Sequence, residues 1–287
     1  METLPITLGQ MQAVEALRSK YENNLSSHAF NSLYLWREQM GLSLLLTPDF
    51  YTVRCNWRGR NSWFFPCGEE EASLGFIREK MRESDFSLCY LRTCDADWLE
   101  KKLPGGWRLS RYPEADEYLY DTDGHITLAG GNYANMRTQV HKVERKYVPR
   151  SAQLCDDNIH EALEIVRQWS HGHCRFSSSD LRDDRVDEEA LILRKELGIT
   201  GIVLYLDDKP VAVTAGFPLG KDLYDVAVAK SVSVAQGVPY YAKRELFRKL
   251  SFHTINMEED LGIPGLRRMK NGMNPIAKNE IWEATLL

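Results

Sequence analysis

Residues 201–216 read Gly-Ile-Val-Leu-Tyr-Leu-Asp-Asp-Lys-Pro-Val-Ala-Val-Thr-Ala-Gly, two apolar runs around a polar turn. The runs at 201–205 and 210–216 have the length and β-branched content of strands, and Asp207 and Asp208 are common turn residues. The segment therefore predicts an antiparallel hairpin. A third strand is predicted at 223–232, followed by a helix at 239–250 that Pro239 opens.

The same pattern extends outward in both directions along the chain. Thr7 and Gln10 form a capping box before an apolar stripe typical of an amphipathic helix. Apolar periodicity and turn residues predict helices at 8–20, 69–81, 96–102, 159–169 and 190–197, and strands or extended segments at 42–46, 51–57, 62–65, 86–92, 107–120, 254–256 and 281–286.

The order of helices and strands starts again near residue 150. We therefore expect two similar α/β halves, at 1–130 and 151–287. Residues 131–150 contain a cluster of basic side chains and are predicted to form a helix at the junction of the two halves.

Composition excludes several classes of protein. The 287 residues are 43% hydrophobic and 27% charged, which excludes disordered and low-complexity chains. The formal net charge of -5 shows that the chain as a whole is not built to coat a polyanion. No apolar run approaches the length of a membrane span and no signal peptide is recognisable, so we expect a cytoplasmic protein with reduced cysteines.

Two kinds of sequence resemblance add to this pattern. The element order, with Leu-Asp-Asp-Lys-Pro-Val-Ala at 206–212, resembles the GNAT acyltransferase fold. Residues 30–41, 128–147 and 254–275 resemble the phosphatidylglycerol lysyltransferase C-terminal family, and 258–267 (EEDLGIPGLR) is the most specific part. This resemblance implies a tandem GNAT-like α/β fold with two mixed-sheet halves and an aminoacyl-tRNA-dependent transferase.

The implied reaction moves an aminoacyl group from charged tRNA, or another anionic donor, to an amine or hydroxyl of a small-molecule, peptide or lipid acceptor. An acyl-CoA N-acyltransferase is one alternative, and a non-catalytic anion-binding protein is another. GNAT enzymes hold the CoA pyrophosphate on a glycine-rich loop before a helix. Residues 233–242 (SVAQGVPYYA) contain only Gly237, and Pro239 lacks an N–H donor, so we predict no CoA cofactor.

The basic cluster is one candidate anion-binding surface. Arg137, His141, Lys142 and Lys146 lie within ten residues of an otherwise acidic chain. Such a helix face suits the phosphates of a tRNA acceptor end. The alternative is a solvated surface whose aliphatic stems pack on the protein.

The segment after the predicted strand at 254–256 is a second candidate. Glu258 is the most plausible acid/base residue, placed to orient or deprotonate an acceptor amine, and Asn256 is predicted to bind the substrate or an anion. The basic residues that follow would bind an anion or a developing oxyanion; they are Arg267, Arg268 and Lys270. In the structural alternative, Glu258 or Asp260 pairs with one of these arginines.

Two further groups complete the candidates. Asp225 and Lys230 lie on opposite faces of the predicted strand at 223–232 and are further catalytic candidates. Asp225 could line the acceptor pocket with Lys230, or it could form a buried pair with a basic residue of the neighbouring half. His171, His173 and Cys174 offer three metal ligands, but a zinc site needs a fourth and none lies at a suitable spacing. We predict no metal.

Overall fold

The computed structural model describes residues 2–57, 60–83, 86–173, 183–232 and 236–287. These residues form two compact units. The first unit contains the chain up to Tyr118 together with Glu258–Arg267 and Lys278–Leu287. The second contains Leu119–Met257 and Arg268–Ala277.

Both units contain helices and strands. Helices α1 to α10 are, in chain order, Met11–Lys20, Phe30–Trp36, Glu70–Lys80, Thr93–Lys102, Thr122–Thr127, Ala134–Lys146, Ile159–His173, Asp183–Ile192, Val238–Phe247 and Pro264–Gly272. Strands β1 to β14 are Leu42–Leu46, Phe50–Trp57, Arg60–Phe64, Cys67–Gly68, Ser87–Arg92, Trp107–Arg111, Glu117–Asp121, Pro149–Gln153, Thr200–Leu206, Lys209–Pro218, Leu223–Ser231, Thr254–Asn256, Ala277–Asn279 and Ile281–Leu286.

The first sheet is mixed. Its strand order is β1-β2-β3-β5-β14-β6, with β4 also paired to β2. The pairs are antiparallel except for β3 and β5, which run parallel and are connected through α3. Phe76 of α3 packs its ring against Phe50 and Trp63 of the sheet, at centroid distances of 5.6 and 5.1 Å. Aromatic burial therefore fixes α3 on this sheet.

The second sheet repeats this plan. Its strand order is β13-β7-β12-β11-β10-β9-β8, and its parallel pair is β11 with β12, connected through α9. Strands β9 and β10 are buried along nearly their whole length. Helices α7 and α9 both pack on β10, so these strands need apolar residues in continuous runs rather than in alternation.

Each sheet contains a strand that is remote in sequence from its neighbours. Strand β14, near the C-terminus, lies between β5 and β6, and β7, from the first 130 residues, lies beside β12. The sheets and compact units therefore do not follow the predicted division into 1–130, 131–150 and 151–287. Strands pair through backbone hydrogen bonds, which distance along the chain does not prevent.

Most predicted elements are confirmed. The strands at 42–46, 254–256 and 281–286 have the predicted bounds, and the hairpin forms as β9 and β10. The helix predicted at 190–197 is wrong: α8 covers Asp183–Ile192, where acidic residues stabilise its N-terminus, and Gly198 with φ 62° ends the turn that follows. The single extended segment at 107–120 is also wrong, because a 3-10 turn at Pro113–Ala115 separates β6 from β7.

Candidate functional site

The parallel pair of the second sheet separates after three residues. Leu223–Asp225 of β11 pair with Thr254–Asn256, and β12 ends there while β11 continues to Ser231. We call this separation point, with Asp225 on one strand and Asn256–Met257 on the other, the fork. The last paired side chains, Asp225 and Asn256, both have 0% exposure. The fork therefore places polar groups inside the unit, away from solvent.

Strand β10 closely supports Asp225. The pairing of β10 with β11 changes register between Ala215 and Phe217 of β10. A Cβ on the intervening Gly216 would lie 1.7 Å from the carbonyl oxygen of Asp225. Only glycine allows the backbones to approach this closely, so Gly216 fixes the position of Asp225.

Lys270 reaches the fork from α10. Its side chain is buried, and its ammonium donates to the carbonyl oxygen of Met257 at 2.5 Å. Tyr120 of β7 in turn donates its hydroxyl to the carbonyl oxygen of Lys270 at 2.9 Å. A buried cation is thus held at the residue that follows β12. The predicted anion-binding role of Lys270 stays a prediction, and this geometry is compatible with it.

Lys230 lies near the end of β11 and contacts acidic residues of α8. Its ammonium lies 3.2 Å from Asp187, 3.7 Å from Asp183 and 4.0 Å from the centroid of the Trp169 ring. Burial raises the pKa of Asp187 to about 7, although Lys230 opposes the shift. Lys230 and its two acidic partners belong to the second unit, and the predicted catalytic role of Lys230 stays a prediction.

Glu258 and Arg267 lie in the first unit. Glu258 is half-buried with φ 56°, and its carboxylate accepts from the Ser26 hydroxyl at 3.5 Å. Arg267 donates to both carboxylate oxygens of Asp260, at 2.8 and 2.9 Å, and Tyr118 donates its hydroxyl to the same carboxylate at 2.6 Å. The structural alternative, in which an acidic residue pairs with Arg267, is therefore observed, and the acidic residue is Asp260. The acid/base role of Glu258 remains a prediction.

We expect Arg267→Met to destabilise the protein in a pH-dependent way. Burial raises the pKa of Asp260, but hydrogen bonds from Arg267 and Tyr118 outweigh it and keep that pKa below its ordinary value. A lowered pKa contributes stability above the unfolded value, near 4, and this contribution is lost as the pH falls through the folded value. At neutral pH the variant should unfold at a lower urea concentration than wild type, by less than the loss of a fully buried pair would cause, since Arg267 is partly exposed.

Urea denaturation at neutral pH and at about pH 3 measures this effect, and the difference from wild type should shrink in acid. Arg268→Met is the matched control, because Arg268 is the next residue and is exposed. An equal loss of stability in both variants, or a difference that does not change with pH, would contradict the role of the Asp260 pair.

A family model and several solved structures match the chain. The model for the C-terminal region of phosphatidylglycerol lysyltransferase matches residues 18–282. The chain belongs to this family. A conserved protein of unknown function from Bacteroides thetaiotaomicron VPI-5482 is 23% identical over 100% of both chains, with a TM-score of 0.93. No curated protein matches significantly.

Two further solved structures share the fold. L-PGS from Bacillus licheniformis is 16% identical with a TM-score of 0.65, over 96% of this chain and 91% of its own. FemX is 9% identical with a TM-score of 0.66, over 100% of this chain and 98% of its own. With two mixed sheets, these likenesses confirm the predicted tandem GNAT-like α/β fold. Among the described residues, no helix is both long and apolar enough to span a membrane.

In this family member the basic cluster forms α6, which packs against α9 of the second unit. Arg137 donates to the carbonyl oxygens of Leu128 and Gly130, so its guanidinium holds the preceding loop. The remaining predicted anion-binding residues of the helix are exposed; they are His141, Lys142 and Lys146. The cluster thus divides into one structural arginine and an exposed basic face.

The segment predicted to lack a CoA cradle lies at the start of α9. Residues 233–235 are outside the described part of the chain. Gly237 has φ 95°, and a Cβ there would lie 2.1 Å from the carbonyl oxygen of Gln139 in α6. Gly237 is therefore needed for a left-handed turn and for close packing of two helices.

The potential metal ligands are only partly described. Cys174 lies outside the described residues, as does the side chain of His173. The Nδ1 atom of His171 lies 2.7 Å from the carbonyl oxygen of Arg167. Within the described part of the chain, no three His, Cys, Asp or Glu side chains are grouped as metal ligands.

Lys243 of α9 is a buried residue that was not among the predicted site residues. Its side chain is only 4% exposed, and burial with the nearby Lys270 and Lys230 lowers its pKa to about 8. A signal was present, because Lys243 lies among the buried residues of α9 beside Ala242 and three positions before Leu246. A charged residue on the buried face of an amphipathic helix needs an explanation.

Proposed function

We propose that this protein transfers an aminoacyl group from charged tRNA to an amine or hydroxyl acceptor, and that the reaction takes place at the fork. The observation that carries this proposal is the buried Lys270 ammonium, held on the Met257 carbonyl directly after the last Asp225–Asn256 pair. It places a fixed positive charge at a break in the sheet, where a substrate carbonyl can approach backbone groups.

The proposed reaction needs no cofactor. The acceptor nitrogen or oxygen attacks the ester carbonyl of the aminoacyl-tRNA and gives a tetrahedral intermediate with an oxyanion. Lys270 stabilises that negative charge, and the tRNA 3′ oxygen leaves with a proton as the new amide or ester forms. Positioning and charge stabilisation carry most of the acceleration. The acceptor gives up its proton as it attacks, and Glu258 stays the residue that the sequence predicts for the acid/base role, with no place assigned to it at the fork.

Two observations favour an aminoacyl donor over acyl-CoA. The family description names a lysyltransferase, which supports an aminoacyl group as the transferred unit. At the start of α9, the backbone of Gln139 lies so close to Gly237 that it occupies the space beside this glycine. Pro239 has no N–H that could donate to a pyrophosphate. The described part of this turn therefore does not resemble a nucleotide cradle.

The test is a transfer assay with two donors. Transfer RNA carrying a radiolabelled amino acid is incubated with the protein and with amine, hydroxyl or lipid acceptors, and acetyl-CoA is offered in parallel. We expect the label to move from tRNA to an acceptor, with little binding of acetyl-CoA. Saturable turnover of acetyl-CoA would instead favour the acyl-CoA N-acyltransferase, and tRNA binding without turnover with any acceptor would favour the anion-binding protein.

We expect the exposed face of α6 to contribute to tRNA binding. The ammonium of Lys142 lies 3.0 Å from Gln236, at the start of α9, and that of Lys146 lies 5.1 Å from the centroid of the Tyr147 ring. Replacing both lysines by alanine should weaken tRNA binding and reduce the slope of log affinity against log salt by about 0.7 to 0.9 for each phosphate that the variant no longer neutralises. Filter binding over a salt series measures this slope.

Lys221→Ala is the control, because Lys221 is an exposed lysine of the same unit in the turn before β11. Arg137 is left intact, since its hydrogen bonds to backbone carbonyls are structural. If the double variant folds normally and its salt slope equals that of wild type, the face is only a solvated surface.

A further inference from the structure

Lys243 is a buried cation whose partner is not in the described protein. It lies in the middle of α9 and is 4% exposed. Within the described ranges, its ammonium makes no hydrogen bond or ion pair. Since removing an ammonium from water without a counter-charge is strongly unfavourable, such a group needs a compensating partner.

Neighbouring positive charges further disfavour the charged form of Lys243. Burial lowers the pKa of Lys243, and the charges of Lys270 and Lys230 lower it further, to about 8. A pKa of about 8 still leaves Lys243 mostly protonated at neutral pH. The charges of two further lysines of the second unit therefore act on Lys243.

The other two lysines have partners that are visible. Lys230 is paired with Asp187 and Asp183, at 3.2 and 3.7 Å, and Lys270 donates to the Met257 carbonyl at 2.5 Å. These interactions fix two of the charges and give Lys243 no counter-ion. An anion that joins the group would offset the repulsion and the cost of burial together.

We propose that Lys243, together with Lys230 and Lys270, binds an oxyanion of the substrate, either a phosphate or a carboxylate. Ammonium groups act as compact point charges toward both. The biological meaning of this site rests on the proposed function: a phosphate would come from the tRNA acceptor end, and a carboxylate from the acyl group or the acceptor.

The first measurement uses the wild-type protein. NMR of lysine ε-carbons, labelled with carbon-13, follows the pKa of Lys243 in chloride, inorganic phosphate or succinate at equal ionic strength. A bound anion favours the charged form, so we expect the pKa to rise by about one unit in at least one of the two anions. A rise only in phosphate identifies a phosphate site, and a rise only in succinate identifies a carboxylate site.

The second measurement compares variants by thermal unfolding. Phosphate or succinate should raise the Tm of the wild type more than that of Lys243→Met, because an anion that binds only the folded state stabilises it. Lys249→Met is the matched control, since Lys249 is an exposed lysine just beyond the end of α9, and it should behave like the wild type.

The proposal is overturned if neither anion changes the pKa of Lys243, or if Lys243→Met keeps the full Tm response of the wild type. Neither measurement contains tRNA or needs turnover. Anion binding without any aminoacyl transfer would therefore refute the proposed function and leave this site standing, whereas transfer without anion binding would do the reverse.

Discussion

Replacing Lys270 by methionine is expected to lower the rate of aminoacyl transfer by about a hundredfold or more, the usual loss when one oxyanion-stabilising donor is removed. Methionine keeps the unbranched apolar stem of the buried side chain but removes the charge that the Met257 carbonyl holds in place. Because the charge acts on the transition state, kcat should fall far more than the affinity for tRNA.

Single-turnover transfer from radiolabelled aminoacyl-tRNA measures this loss. Lys249→Met removes an exposed lysine from the same unit and should keep full activity. Circular dichroism and Tm confirm that each variant folds. If a folded Lys270→Met protein transferred the label at the wild-type rate, Lys270 would be a structural tether for the segment after β12, and the fork would lose its proposed role.

Replacing Gly216 by alanine is expected to destabilise the second unit by about 3 kcal/mol, at the upper end of the cost of overpacking. The added Cβ would lie 1.7 Å from the carbonyl oxygen of Asp225 and 2.8 Å from its carbonyl carbon. These are backbone atoms, so a side-chain rotation cannot relieve the clash. Strand β11 must move away from β10, and Asp225 moves with it.

Urea denaturation measures the stability, and the transfer assay measures the effect on the fork. Gly75→Ala is the control: Gly75 lies inside α3, nothing lies within 4 Å of a Cβ there, and alanine should stabilise the helix by up to about 1 kcal/mol. A Gly216→Ala protein as stable and as active as wild type would show that the bulge of β10 does not fix Asp225.

Local signals in the sequence were enough to predict most of the elements. Strand β12 was predicted at its observed bounds because the β-branched residues Thr254 and Ile255 follow a helix, in a segment that ends at Asn256. The same signals failed at α8, where the apolar residues after Ala190 suggested a helix that the turn ending at Gly198 does not allow. Sequence periodicity describes a face to be buried, but not where the chain turns.

The site depends on pairings that local signals do not contain. Asn256 and Asp225 were singled out separately, and only the register of a parallel pair brings them side by side. Asp260, considered only as the partner in a structural alternative, is the residue that binds Arg267. Lys243 was missed because a lysine in an amphipathic helix is usually solvated.

The position of β14 has a consequence for how the protein is made. Strand β6 ends at Arg111, whereas β14, which lies between β5 and β6, begins only at Ile281. While the ribosome synthesises the residues between them, the nascent chain carries two unsatisfied strand edges, which are sites of aggregation. A stop codon before Ile281 would remove an interior strand, so the first sheet is complete only after the ribosome has translated the chain through β14.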